Sequence, residues 1–217
     1  MASHYRCTEI LGEAGRFFDP SKRLFDFLAA LFGLIVLSPI MALVALLITV
    51  TSRGGPFFIA DRVGLNDQHF WMIKFRSMVK GSHSDYRQVR QSSPDSRNGP
   101  YFKNRDDSRI TPLGRILRMW SIDELPQLLN VLRGEMSLVG PRPAFREEVD
   151  EMGQDALNRH SIKPGMTGIC QVNGRTSIPY EDYLQLELHY LENRCWRLDF
   201  CILASTFKAV VSKAGAH

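Results

Sequence analysis

Between Phe27 and Ser52 the chain runs for 26 residues without a charge, FLAALFGLIVLSPIMALVALLITVTS. A helix apolar on every side belongs in the core of a large protein or in lipid, and 217 residues make one domain of ordinary size. At about 1.5 Å per residue the run reaches across a hydrocarbon core of roughly 30 Å. It does not read as a secretory signal, because Glu9, Glu13 and Asp19 precede it and no small-residue cleavage site follows. The segment meets lipid.

Ser38-Pro39 lies almost at its middle. Proline has no N–H and its ring clashes with the carbonyl four residues back, which kinks or breaks a helix at a cost of about 3 kcal/mol or more in water. In lipid the carbonyl of Ile35 then needs another donor, and the Ser38 hydroxyl is a candidate. Each arm has about a dozen residues, roughly 18 Å, too short to span alone. Both flanks are basic, with Lys22 and Arg23 before and Arg53 and Arg62 after. A re-entrant hairpin keeps both flanks inside, whereas a spanning helix favours one. On these grounds a re-entrant helix-break-helix and a kinked transmembrane helix both stay open.

Charge narrows the rest. From Arg53 to Arg118 there are 13 Lys/Arg against 6 Asp and no Glu, and such a basic middle favours an anionic partner: phosphate, lipid headgroup or nucleic acid. The four cysteines, Cys7, Cys170, Cys195 and Cys201, form no C-x-x-C pair and have no histidine at metal-ligand spacing, which argues for reduced thiols and against a zinc site. No phosphate-loop, dinucleotide or H-E-x-x-H motif occurs, so ATPase, dehydrogenase and zinc-protease readings have no support. The histidines read as surface residues without a role, and Trp120 and the methionines as core.

PFFIADRVGL and QHFWMIKFRSM read as two strands around Asn66-Asp67, a hairpin. Residues 80–100 are polar and read as a loop able to act as a lid. Helical periodicity returns at Leu113, Ile116, Leu117 and Trp120, and again at Leu125, Leu128, Leu129 and Leu132. With Asp123 as N-cap, Pro126 falls at the third helical position, where its missing N–H costs nothing. Ser121 as cap would pair with Glu124 in a capping box but set Pro126 against an intrahelical bond, so a start near Asp123 is preferred. Val139-Gly140-Pro141-Arg142-Pro143 reads as a stiff turn, 145–160 as a short helix and Lys163–Gly168 as a loop. Tyr180–Lys213 reads as mostly helical, its end apolar enough to lie on a bilayer or pack on the first element.

The most informative constellation is Asp123-Glu124 among Arg115, Arg118, Arg133, Arg142 and Arg146. A helix N-terminus favours negative charge, so Asp123 is expected to stay ionised with room for a phosphate beside it. Adjacent helical carboxylates point about 100° apart, which favours a split of labour in which one attacks and the other holds a metal. Hard oxygen ligands beside phosphate suggest Mg²⁺. A carboxylate nucleophile can form an acyl phosphate, dividing one phosphoryl transfer into two in-line steps, with arginines offsetting charge on the phosphoryl oxygens. The plain alternative is a capping aspartate with a solvated neighbour.

The stretch TPLGRILRMWSIDELPQLLNVLRGEMSLVGPRP (Thr111–Pro143) resembles the signature of the bacterial sugar transferases, the monotopic phosphoglycosyl transferases. KRLFDFLAALFGLIVLSPI, GPFFIADRVGLNDQHFWMIKFRSM and KPGMTGICQVNGRTSIPYEDY extend the match over residues 22–210. The resemblance implies transfer of a sugar-1-phosphate from a UDP-sugar to undecaprenyl phosphate with release of UMP, the first membrane step of a glycan assembly. It implies an α+β, mainly helical fold: a cytosolic segment over 1–21, a re-entrant membrane helix over 22–53 broken at Ser38-Pro39, and a catalytic domain over 54–217 with a small hairpin and interfacial amphipathic helices. The expected place is the bacterial inner membrane, catalytic domain to the cytosol, with membrane lipids as neighbours.

Carried over by position, the resemblance makes Asp123 the nucleophile toward the β-phosphorus. Glu124, with Asp123 beside it, becomes the Mg²⁺ site. Arg118 and Arg142 are implied phosphate ligands, and Lys74, Arg76 and Arg175 substrate contacts. It implies the minimal form of the family, since about 21 residues precede Lys22. Residues 81–99 match nothing in it. Three other readings compete. A membrane-anchored anion-binding protein leaves the arginines around a carboxylate pair unexplained. Direct attack by the lipid phosphate, with the carboxylates as Mg²⁺ ligands only, is the mechanistic rival. A nucleic-acid partner is not expected, for want of a binding motif, while a homodimer is reasonable for a half-buried membrane protein.

Overall fold

The computed structural model describes residues 6–79, 81, 108–153, 159–173 and 179–212, with side chains from residue 19 onward. The first element, helix α1, runs from Arg6 to Thr51, 46 residues with Pro20 and Pro39 inside it. Helical structure covers both arms of the apolar run and extends past Lys22 to Arg6. Ser38 Oγ donates to the Ile35 carbonyl at 2.8 Å, which supplies the acceptor that Pro39 leaves without its usual donor. That local repair is why the helix continues.

After Gly54-Gly55 the hairpin forms as the alternation predicts, β1 (Phe57–Val63) against β2 (His69–Phe75), antiparallel from Phe57↔Phe75 to Val63↔His69. Asn66 and Asp67 turn the chain with positive φ. Helix α2 (Pro112–Met119) begins on Thr111, whose hydroxyl accepts the Gly114 amide at 2.9 Å, with Pro112 at the first helical position. A 3₁₀ turn over Ile122–Gln127 passes directly into α3 (Leu128–Arg133). Gly134, at φ 85°, ends α3, and Arg23 of α1 reaches in to donate to the carbonyls of Val131 and Leu132 at 2.6 and 2.9 Å.

A second sheet forms just ahead of the stretch read as a turn and within the one read as a loop. Strands β3 (Ser137–Val139) and β4 (Gly165–Thr167) pair in parallel, flanking α4 (Arg146–Met152). Their backbones meet so closely that a Cβ on Gly165 would lie 2.1 Å from the Gly140 nitrogen. Beyond them come α5 (Ile169–Val172), α6 (Tyr180–Asn193) and α7 (Trp196–Val211).

Helix α1 is the spine on which the domain is assembled. Ala30, Leu34 and Leu37 pack with Met72, Leu128, Val131 and Met136, while Met41, Val44 and Ile48 pack with Phe75, Leu117 and Ile122. Gly33 lets α3 approach, with Leu128 3.3 Å from where a Cβ would stand. Helix α7 closes on the other end: Trp196 and Phe200 meet Phe25 edge-on at 5.2 and 5.6 Å, and Lys22 Nζ lies 2.6 Å from Asp199. The opposite face of α1 is open, with Leu24, Leu28, Phe32, Ile35, Val36, Leu43, Leu46 and Val50 exposed. Among the described residues α1 is the one helix long and apolar enough to cross a membrane.

Candidate active site

The dyad sits in the 3₁₀ turn, against the half of α1 that carries Val44 and Ile48. Ser121 enters the turn in the left-handed conformation, φ 54°, and Glu124 donates its amide to the Ser121 carbonyl at 3.2 Å. The element thus starts one residue before Asp123, with Ser121 in the capping position and no side-chain cap. That moves the expected cap from Asp123 back to Ser121, with Pro126 inside the turn, where it donates no backbone bond.

Asp123 and Glu124 experience different surroundings. Asp123 is 8% exposed. Burial foremost, and then the charge of Glu124, push its carboxyl up to about 6, against the pull of Lys74, Arg118 and a hydrogen bond from its own amide. The sequence led us to expect firm ionisation by a helix terminus, but a 3₁₀ turn in a dry corner gives less. A carboxyl near 6 is still about ten to one ionised at pH 7, and it is poorly solvated, which suits a nucleophile. Glu124 faces outward, its side chain 38% exposed, with Lys74 Nζ 2.9 Å from Oε1. Among the described residues, no side chain makes so direct an ion pair with Asp123.

Strand β2 brings Lys74, and α2 brings Arg118. The Arg118 Nε donates to Ser77 Oγ at 2.8 Å. The close seating of α2 depends on Gly114, where a Cβ would stand 2.0 Å from the Ser77 carbonyl oxygen. These residues, Asp123, Glu124, Lys74 and Arg118, are the ones the structure brings together.

Two others it places differently. Arg76 donates to the carbonyls of Phe57 and Arg53, at 3.0 and 3.5 Å, fastening the entry to the hairpin. Arg142 Nη1 lies 3.4 Å from Glu148, a fully buried glutamate that also accepts the Phe145 amide at 2.8 Å. The turn carrying Arg142 is pinned from several sides: the carbonyls of Pro141, Arg142, Pro143 and Ala144 accept from Gly165 N, Arg159 Nη2, Arg62 Nη1 and Val63 N. Arg175 and the segment 82–99 lie outside the described residues. Sequence reasoning missed Ser77, Glu148 and Arg159, whose roles are contacts across the fold that no local pattern announces. It also misjudged His160, which is buried, and Trp120, which is 40% exposed.

No cluster of three or more His, Cys, Asp or Glu suited to a metal occurs among the described residues. Mg²⁺ does not need one: it takes one or two protein carboxylates and completes its shell with water and phosphate oxygens. The outward Glu124 beside the buried Asp123 is a donor set of that size, and Lys74 already stands against it.

The family model of the bacterial sugar transferases matches residues 17–213. An exopolysaccharide production protein of Sinorhizobium fredii is 37% identical over 199 residues, 91% of this chain and 88% of the relative. Undecaprenyl-phosphate galactose phosphotransferase of Salmonella typhimurium is 40% identical over 201 residues, 90% of this chain and 41% of the relative. Undecaprenyl-phosphate glucose phosphotransferase of Komagataeibacter xylinus is 41% identical over 208 residues, 90% of this chain and 36% of the relative. The chain thus spans less than half the length of these two phosphotransferases and most of the Sinorhizobium protein.

Proposed function

The chain belongs to the bacterial sugar transferase family, and from that premise we propose that it moves a sugar-1-phosphate from a UDP-sugar to undecaprenyl phosphate through a phosphosugar bound to Asp123. The observation that carries the reading is a buried carboxylate beside an outward one, flanked by Lys74 and Arg118. In the first step an Asp123 oxygen attacks the β-phosphorus and the bond to the bridging oxygen breaks. That oxygen leaves on UMP. In the second step a phosphate oxygen of undecaprenyl phosphate attacks the same phosphorus, the acyl phosphate opens, and Asp123 returns as a carboxylate. Atoms balance without any other reactant.

Lys74 and Arg118 offset the charge that builds on the phosphoryl oxygens. Glu124, with Asp123 beside it, would hold Mg²⁺, which when bound neutralises pyrophosphate charge and aids departure of UMP. Arg142, on its pinned turn, and Arg175 serve as further phosphate contacts in this reading. The rival, direct attack by the lipid phosphate, makes both carboxylates ligands. The different surroundings of the two support the division of labour instead.

The membrane attachment we propose is monotopic. Helix α1 touches the domain from Lys22 to Ile48, about 39 Å at 1.5 Å per residue, longer than the hydrocarbon core is thick. A crossing would draw charged surface such as the Lys22–Asp199 pair or Lys74 and Arg118 into lipid, at a cost of several kcal/mol. With its open face sunk into the cytosolic leaflet instead, the helix leaves both ends with the domain. The dyad then meets a phosphate at the bilayer surface and a nucleotide from solution.

The test is UMP release by purified protein in Mg²⁺ buffer, with undecaprenyl phosphate in detergent and a panel of UDP-galactose, UDP-glucose and their N-acetylated counterparts. Release with at least one donor is expected. Release with none contradicts the reading.

A further inference from the structure

Asn130 lies in α3 with no exposed surface, and its side chain makes three hydrogen bonds. Its Oδ1 accepts the Ile73 amide at 3.0 Å, and its Nδ2 donates to the Trp71 carbonyl and to Glu135 Oε2, each at 2.7 Å. An oxygen facing an N–H and a nitrogen facing two oxygens leave this amide only one orientation. Trp71 and Ile73 stand two apart on β2, so the groups they offer Asn130 lie on one edge of the strand. Among the described residues the sheet consists of β1 and β2, and no further strand lies along that edge. The Asn130 side chain takes the place of one.

Lys74, the next residue along β2, ends 2.9 Å from Glu124, and Glu124 sits on the same continuous run, 122–133, as Asn130. A ring is therefore closed: turn, α3, Asn130, β2, Lys74, back to the turn. A leucine in that position would fill similar volume but take from the Ile73 amide and the Trp71 carbonyl, both part-buried, the partner that Asn130 supplies.

We propose that Asn130 is a positioning residue for the transfer: it clamps the edge of β2 so that Lys74 is delivered to Glu124. The inference rests on the function proposed above for its consequence in turnover, though its geometric half can be read without turnover.

The experiment compares wild type, Asn130→Ala, Lys74→Met and the double variant, reading kcat and KM for UMP release, with amide exchange at Ile73 measured in parallel. Asn130→Ala is expected to lower kcat by about tenfold to a hundredfold with a smaller change in KM. The double variant is expected to be no slower than Lys74→Met, because a clamp acting through Lys74 then has nothing to position. Losses that multiply overturn the proposal. Asn130→Asp, which keeps the shape and the acceptor for Ile73 but not the donors, carries the same cycle if Asn130→Ala fails to fold. In exchange, the Ile73 amide should lose protection in Asn130→Ala while α6 keeps its own, and unchanged protection at Ile73 overturns the proposal. A wild type that released no UMP would contradict the transfer and leave the exchange result to decide the clamp.

Discussion

Two carboxylates adjacent in sequence differ here because one points into a dry corner and the other toward Lys74 and solvent. Asp123→Asn keeps the shape and removes the nucleophile, so UMP release should fall by at least about 10³-fold, and a variant that retained a substantial rate would make Asp123 a ligand at most. Lys74→Met should cost less, about tenfold to a hundredfold in kcat, because Arg118 still faces the phosphoryl group. A second prediction at this scale concerns stability. Burial holds the His160 ring below its ordinary range despite the hydrogen bond to Asp67, and its Nε2 is buried with no hydrogen-bond partner among the described residues. The unfolded chain therefore takes up a proton there more readily than the folded one, and stability is lost as pH falls from about 6.5 through the folded value. Thermal melts at pH 7.5 and 5.5 should show a larger loss in wild type than in His160→Gln. Equal losses would rule out His160 as the source.

At the scale of elements, what could be read in the sequence was what short-range pattern encodes. The hairpin was legible because alternation in PFFIADRV and HFWMIKF flanks a polar turn, and α2 because Thr111-Pro112 opens a 3.6-residue pattern. Strands β3 and β4 were not, since three residues each carry no period and their pairing joins segments far apart in the chain. At Pro39 the local chemistry was legible too: the Ser38 hydroxyl donates to the Ile35 carbonyl that the proline leaves without its amide donor. The dyad was visible as a pair of acids among arginines. Its asymmetry was not, because the burial of Asp123 comes from contacts with other elements. The glycines of the signature have the same origin: Gly114 and Gly140 are places where one backbone lies on another. Gly114→Ala should push α2, and Arg118 with it, off Ser77, destabilising the protein by about 1–3 kcal/mol and lowering kcat. A chemical denaturation midpoint unchanged from wild type would contradict this close seating.

At the scale of the whole molecule, one long helix serves as both core and lipid contact: a packed face from Lys22 to Ile48 and an open face rich in leucine, isoleucine and phenylalanine. On helix α7 Phe207 is also exposed, at 73%. If attachment is monotopic, single cysteines placed at Asp19 and at Arg53 in a cysteine-free background should both be labelled from the cytosolic side of inverted vesicles and neither from the periplasmic side of spheroplasts. Labelling of the two from opposite sides would mean that α1 crosses. The chemistry itself is tested most directly by intact-mass analysis of the protein incubated with Mg²⁺ and its UDP-sugar, with no polyprenyl phosphate present. The account predicts a mass increase of one sugar phosphate, mapped to Asp123, absent in Asp123→Asn and discharged when undecaprenyl phosphate is added. An unmodified protein, with UMP appearing only once the lipid is present, would contradict it.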